Sequence, residues 1–102
     1  MTVPRLDLTI HAPHRLHICA LLTPLDEAEF QVLREALGIS DSALSKHIKQ
    51  LEDAGYLILR KATRDGRQRT WARLTPTGRR AFAAHVDALT EIASLAHGSR
   101  HG

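Results

Sequence analysis

The tripeptide Gly38-Ile39-Ser40 separates two segments that each carry their own helix signals, and a connection this short dictates how the two helices can be placed. After it, Ser40 is a good N-cap and Asp41 suits the positive end of a helix dipole. Ile39 and Leu44 have the spacing of a hydrophobic staple, and Gly55 can close the helix with φ > 0. Before it, Asp26 as N-cap and Glu29 three residues on resemble a capping box, with Leu25 and Phe30 placed to staple it. That pattern predicts a helix from about Glu27 to Leu37, with Phe30, Leu33 and Leu37 on its apolar face and Gly38 ending it.

Two capped helices joined by a turn of about three residues containing Gly form a helix-turn-helix. With about 100° per residue, Leu44, Ile48 and Leu51 fall in one apolar stripe. Ser42, Lys46 and Lys49 point the opposite way, with Ser45 and Gln50 on the flanks, and the only acids on that face, Glu52 and Asp53, are held back to the C-terminal end. Such a helix can be a solvated amphipathic helix, or it can approach a phosphate-lined groove with its N-terminal half leading. Charge favours the second. Ser42 to Arg80 holds ten Lys and Arg against three acids, a net of +7, whereas the rest holds four against eight, a net of −4. Concentrated basic charge suits a polyanionic partner.

Beyond Gly55 the apolar pattern alternates, and Asp65-Gly66 between alternating runs is a hairpin signal. With these as the two turn residues, Leu57 faces Leu74, Leu59 faces Ala72 and Arg60 faces Trp71, so one face is apolar and the other basic. Arg64, Arg67 and Arg69 mark the tip, with Lys61 nearby and Asp65 the one opposing acid. Trp71 lies on the outer face beside Arg60, in a cation–π contact or at an interface with a second subunit or DNA. Thr75 as N-cap and Pro76 at the first position then open a last helix running to about Leu95, striped by Phe82, Val86, Leu89, Ile92 and Ala96.

Upstream, residues 1–11 have weak periodicity and read as an extended or partly ordered arm. Pro13 to Leu22 reads as a largely buried helix. His11, His14 and His17 recur every three residues with Cys19 after them; capping or exposed histidines are weighed there against a metal site, and the tail His97 to His101 adds little to the latter. Cys19 within its apolar run reads as a small buried hydrophobe. A single cysteine excludes an internal disulfide framework. No apolar run reaches membrane-spanning length and the N-terminus lacks the order of a signal peptide, so a cytoplasmic protein is expected. No nucleophile–base motif or phosphate-binding glycine loop is present, which points away from an enzyme and implies no cofactor.

The run Leu44-Ser45-Lys46-His47-Ile48 with Leu51 and Ala54-Gly55-Tyr56, followed by Leu74-Thr75-Pro76 and Gly78, resembles small winged-helix transcriptional regulators of the ArsR/MarR-like type. The resemblance implies a mainly α fold with a β-hairpin: a winged helix-turn-helix core over 12–74 and a C-terminal dimerisation helix over 75–96, in one domain of 102 residues. It implies double-stranded DNA as partner, with Ser42, Ser45, Lys46 and His47 on or beside the DNA-reading surface and Arg64, Arg67 and Arg69 at the wing tip; the exposed helix face and hairpin read above add Lys49, Gln50 and Lys61 to the DNA side, and His47, on the flank of the apolar stripe, suits a structural or phosphate-contacting role as well as base reading. A homodimer would be held by Leu16, Phe82, Val86, Leu89 and Ile92. The cysteine-rich metal motif of many ArsR-type sensors and the longer helical frame of MarR proteins are both missing, so the resemblance leaves the effector ligand unknown. Three functions are carried forward: a dimeric, sequence-specific DNA-binding regulator acting as a repressor; a winged helix that docks a protein instead; and a regulator gated by metal or small molecule.

Overall fold

The computed structural model describes residues 4–98, so the first three residues of the N-terminal arm and most of the histidine-containing tail lie outside the described residues. Along the chain run α1 (Leu8–His11), α2 (Pro13–Leu22), β1 (Ala28–Glu29), α3 (Phe30–Leu37), α4 (Asp41–Asp53), β2 (Leu57–Arg64), β3 (Arg67–Leu74) and α5 (Pro76–Gly98). The three strands form one antiparallel sheet in the order β1-β3-β2. The result is mainly helical with a hairpin, as expected.

The core gathers Ile18, Cys19 and Leu22 of α2, Leu33 of α3, Leu44, Ile48 and Leu51 of α4, and Leu57, Ala72 and Leu74 of the sheet. The expected stripe of α4 is thus its buried face, and each such aliphatic side chain stabilises by about 1.5–3 kcal/mol relative to exposure. Ser40 caps α4 by accepting from the Ala43 N–H at 3.1 Å. At the other end Gly55 takes φ +80°; its N–H donates to Glu52 and that of Tyr56 to Leu51, closing the helix in a Schellman motif. Burial pushes the Cys19 thiol up to about 11, with Asp7 adding to the shift, which suits a packing role.

The hairpin has the register expected from Asp65-Gly66, with φ of +53° and +76° at the two turn residues. Type I′ turns need both positive, which is why Asp-Gly can make this one. Thr75 caps α5 by accepting from the Gly78 N–H, while its hydroxyl donates to the Gly55 carbonyl and its own N–H donates to that of Tyr56. The chain is so close here that a Cβ on Gly78 would lie 2.0 Å from the Tyr56 carbonyl oxygen.

Two expectations are corrected. The helix expected from Glu27 begins instead at Phe30, because Ala28 and Glu29 pair with Ala72 and Trp71 as β1; Leu25 is exposed rather than stapled, and no side chain caps α3. A helix cap is worth about 1 kcal/mol. Strand pairing, burial of Ala28 and two ion pairs to the hairpin outweigh it. The arm expected over residues 1–11 contains α1, capped by Asp7 through the N–H groups of Thr9 and Ile10, with Ile10 fully buried.

Candidate nucleic-acid interface

Burial of Leu44, Ile48 and Leu51 turns the opposite side of α4 outward, and Ser42, Ser45, Lys46, Lys49 and Gln50 are all exposed on it. Lys46 forms no ion pair among the described residues; Lys49 meets Asp53 at 3.4 Å, where both side chains are largely in water and the pair contributes little. Across the turn that Gly38 makes with φ +67°, Arg34 of α3 lies 3.0 Å from Asp41 of α4, whose side chain is largely in water.

His47 behaves differently from its neighbours. It is half-buried, its Nδ1 lies 3.3 Å from a guanidinium nitrogen of Arg15, and its ring meets His14 edge-on at 5.3 Å between centroids. Its pKa is lowered by partial burial first, then by Arg15 and His14. The imidazole therefore sits against α2. Sequence reasoning missed Arg15 as a companion of α4 because the two residues are 32 positions apart.

At the hairpin tip Arg64 and Arg67 face each other in register, exposed and without ion pairs among the described residues. By strand alternation Lys61 lies on the other face of the hairpin, exposed and opposite Thr70. Arg69 departs from the expectation that Asp65 alone opposes this cluster: its Nη1 is 2.6 Å from Glu29, and the pair is mostly shielded from water. Arg60 donates twice to Glu27, at 2.5 and 3.1 Å, and its guanidinium stacks 4.5 Å over the Trp71 ring. Trp71 is thereby engaged within the protomer, and the hydrogen bond from Arg60 holds the Glu27 carboxyl below its ordinary pKa. Neither acid could be found by pattern, since both were absorbed into a plausible helix start.

On α5, His85 and Ala88 are buried, and Phe82 packs on the core together with Leu16 of α2. Leu89 is half-buried; Val86 and Ile92 are exposed, as is every residue from Thr90 to His97, Leu95 among them. The upstream histidines do not converge: His11 pairs with His85, His14 with His47, and His17 is exposed. No group of three or more potential metal ligands occurs among the described residues. No helix among them is long and apolar enough to cross a membrane.

These features have counterparts in known proteins. Residues 14–93 match the family described as winged helix DNA-binding domain. A protein of Methanocaldococcus jannaschii, itself uncharacterized, is 35% identical over 78 residues, covering 76% of this chain and 85% of its own. The solved structure of a transcriptional regulator homologue from Pyrococcus horikoshii superposes with a TM-score of 0.84 at 25% identity, over 89% of this chain and 90% of that one. The YusO protein from Bacillus subtilis shares the fold, with a TM-score of 0.78 at 19% identity over 89% of this chain and 64% of its own. The ArsR/MarR-like type drawn from the sequence fits these matches. The chain belongs to the winged-helix DNA-binding domain family, whose members are regulators of transcription rather than enzymes.

Proposed function

We propose that this protein is a homodimeric, sequence-specific binder of double-stranded DNA that represses transcription. The observation that carries the reading is the coincidence of an outward α4 face bearing Ser42, Ser45, Lys46 and Gln50 with a wing tip bearing Arg64 and Arg67, neither of which forms an ion pair among the described residues. Hydroxyl, amide and ammonium groups on a helix can address base edges in a major groove. Guanidinium groups on a wing address phosphates or the neighbouring minor groove. Dimerisation through the outer half of α5 would cover Val86, Ile92 and Leu95 and would present two such surfaces to two half-sites. Repression follows as the simplest output, because occupying a promoter needs no surface beyond the DNA-binding one.

The test is selection of bound fragments from random and genomic DNA, followed by salt titration of the selected duplex against an unrelated one. Recovery of a two-fold symmetric motif, with affinity falling steeply with salt, supports the reading. Binding that does not distinguish selected from unrelated duplex removes specificity. No binding to either makes a protein-docking winged helix the better account.

A further inference from the structure

The segment Glu27–Glu29 stands between the helix-turn-helix and the wing, and its two acids hold different strands of the wing. Glu27 accepts two hydrogen bonds from Arg60 of β2, and Glu29 accepts one from Arg69 of β3. Arg60 in turn lies over Trp71, the strand partner of Glu29. Glu29 is also the residue that precedes α3, yet its carboxylate makes no cap to that helix and is turned to the wing. Arg69 Nε is buried without any acceptor, so Glu29 is the one carboxylate that orients this guanidinium among the described residues. Further out, apolar packing gives way to an open cleft of about 300 Å³ lined by Glu29, Phe30, Gln31 and the stretch from Arg67 to Thr70. Arg67 lies on the same face of β3 as Arg69, two residues away, or about 7 Å of strand.

We propose that Glu29, acting through Arg69, is a positioning residue for DNA binding: it latches the wing to the start of α3 so that Arg64 and Arg67 reach the same duplex as α4. This rests on the DNA-binding reading above. The latch makes a prediction opposite in sign to simple electrostatics. Removing an acid from a phosphate-facing surface should tighten binding to any duplex, because each subunit loses one negative charge. Removing a latch should loosen binding to the selected duplex despite that loss.

The experiment compares the wild type, Glu29→Gln and the exchanged pair Glu29→Arg with Arg69→Glu, which keeps the wild-type net charge. Binding to the selected duplex is measured for each. Residual dipolar couplings of the DNA-free proteins report the orientation of the wing N–H vectors relative to α4. The latch predicts roughly tenfold weaker binding for Glu29→Gln, wing vectors that no longer share the alignment of α4, and recovery of both in the exchanged pair. Equal or tighter binding by Glu29→Gln, or unchanged wing vectors, overturns the proposal, as does an exchanged pair no better than Glu29→Gln. If the wild type binds no duplex while Glu29→Gln still reorients the wing, the DNA-binding reading has failed and the latch stands.

Discussion

The backbone N–H of Asp7 donates to Nδ1 of His85 at 3.0 Å, joining residues 78 positions apart and fixing the tautomer of an imidazole only 1% exposed. With Nδ1 occupied as an acceptor, the proton of neutral His85 resides on Nε2, which faces Nδ1 of His11 at 3.3 Å. Asp7 also accepts from the Tyr56 hydroxyl at 2.6 Å, immediately beyond α4. One short segment thus ties the end of α4 to α5, and it does so through a histidine that must stay neutral.

Protonating His85 would place a donor where the Asp7 N–H already donates. Burial lowers its pKa below the ordinary 6.5, His11 lowers it further, and Asp7 opposes the shift. The unfolded chain therefore binds a proton more readily than the folded one. His85 contributes stability above about pH 6.5, and that contribution is lost as pH falls from there through the lower folded value. His47 shifts in the same direction and adds to the trend. The melting temperature should fall between pH 7.5 and 5, and His85→Gln, whose side-chain oxygen can accept from Asp7 without titrating, should flatten the decline. Parallel profiles for the two proteins would exclude His85 as the source.

Gly78 opposes helix propensity to steric fit. In the first turn of α5, Ala would ordinarily be better than Gly by about 0.5–1 kcal/mol. Here the new methyl would meet a backbone carbonyl, which cannot swing aside as a flexible side chain can. Overpacking of this kind costs about 1–3 kcal/mol or more. Gly78→Ala should lower the midpoint of urea unfolding; a higher midpoint would show that α5 can move away from Tyr56 cheaply.

What could be read from the sequence was what short-range chemistry decides. Ser40 and Gly55 bound α4 by contacts within a few residues, and Asp65-Gly66 sets the hairpin register because a two-residue turn leaves no freedom in the pairing. The outward position of Ser42, Lys46 and Gln50 followed from the period of one helix. Glu29 could not be read this way. Its partners, Trp71 on the strand and Arg69 through the side chain, lie about forty residues downstream, and the same Glu satisfies the local pattern of a capping box. Asp7 and His85 are further still apart, which is why a segment expected to be an arm is part of the fold.

The salt dependence of DNA binding separates the wing arginines from the outward face of α4. Each phosphate neutralised contributes about −0.9 to the slope of log K against log salt, so Arg67→Ala in a dimer should flatten the slope by about 1.8 and weaken every duplex alike. Lys46→Ala and Gln50→Ala should instead change sequence preference, each lost base contact costing about 1–3 kcal/mol. Equal losses for Arg67→Ala and Gln50→Ala on selected and unrelated DNA would mean that α4 contacts phosphate and does not read bases.

The two halves of α5 should respond oppositely to the same substitution. Phe82 packs against the core and His85 and Ala88 are buried within the protomer, whereas Ile92 is 39% exposed and Leu95 is 64% exposed. A carboxylate at position 82 would be placed among apolar groups, and Phe82→Glu should unfold the protomer. Ile92→Glu with Leu95→Glu puts the new charges where each protomer alone leaves them in water, so circular dichroism should remain that of the wild type. If the outer half of α5 is the dimer contact, four carboxylates would converge there across the two-fold axis, and sedimentation should show the folded monomer at concentrations where the wild type is dimeric. Affinity for the selected duplex should then fall, because half-sites bound singly lose the advantage of a linked second site. A wild type that sediments as a monomer at tens of micromolar, or a double variant that remains dimeric, would place the contact elsewhere on the molecule.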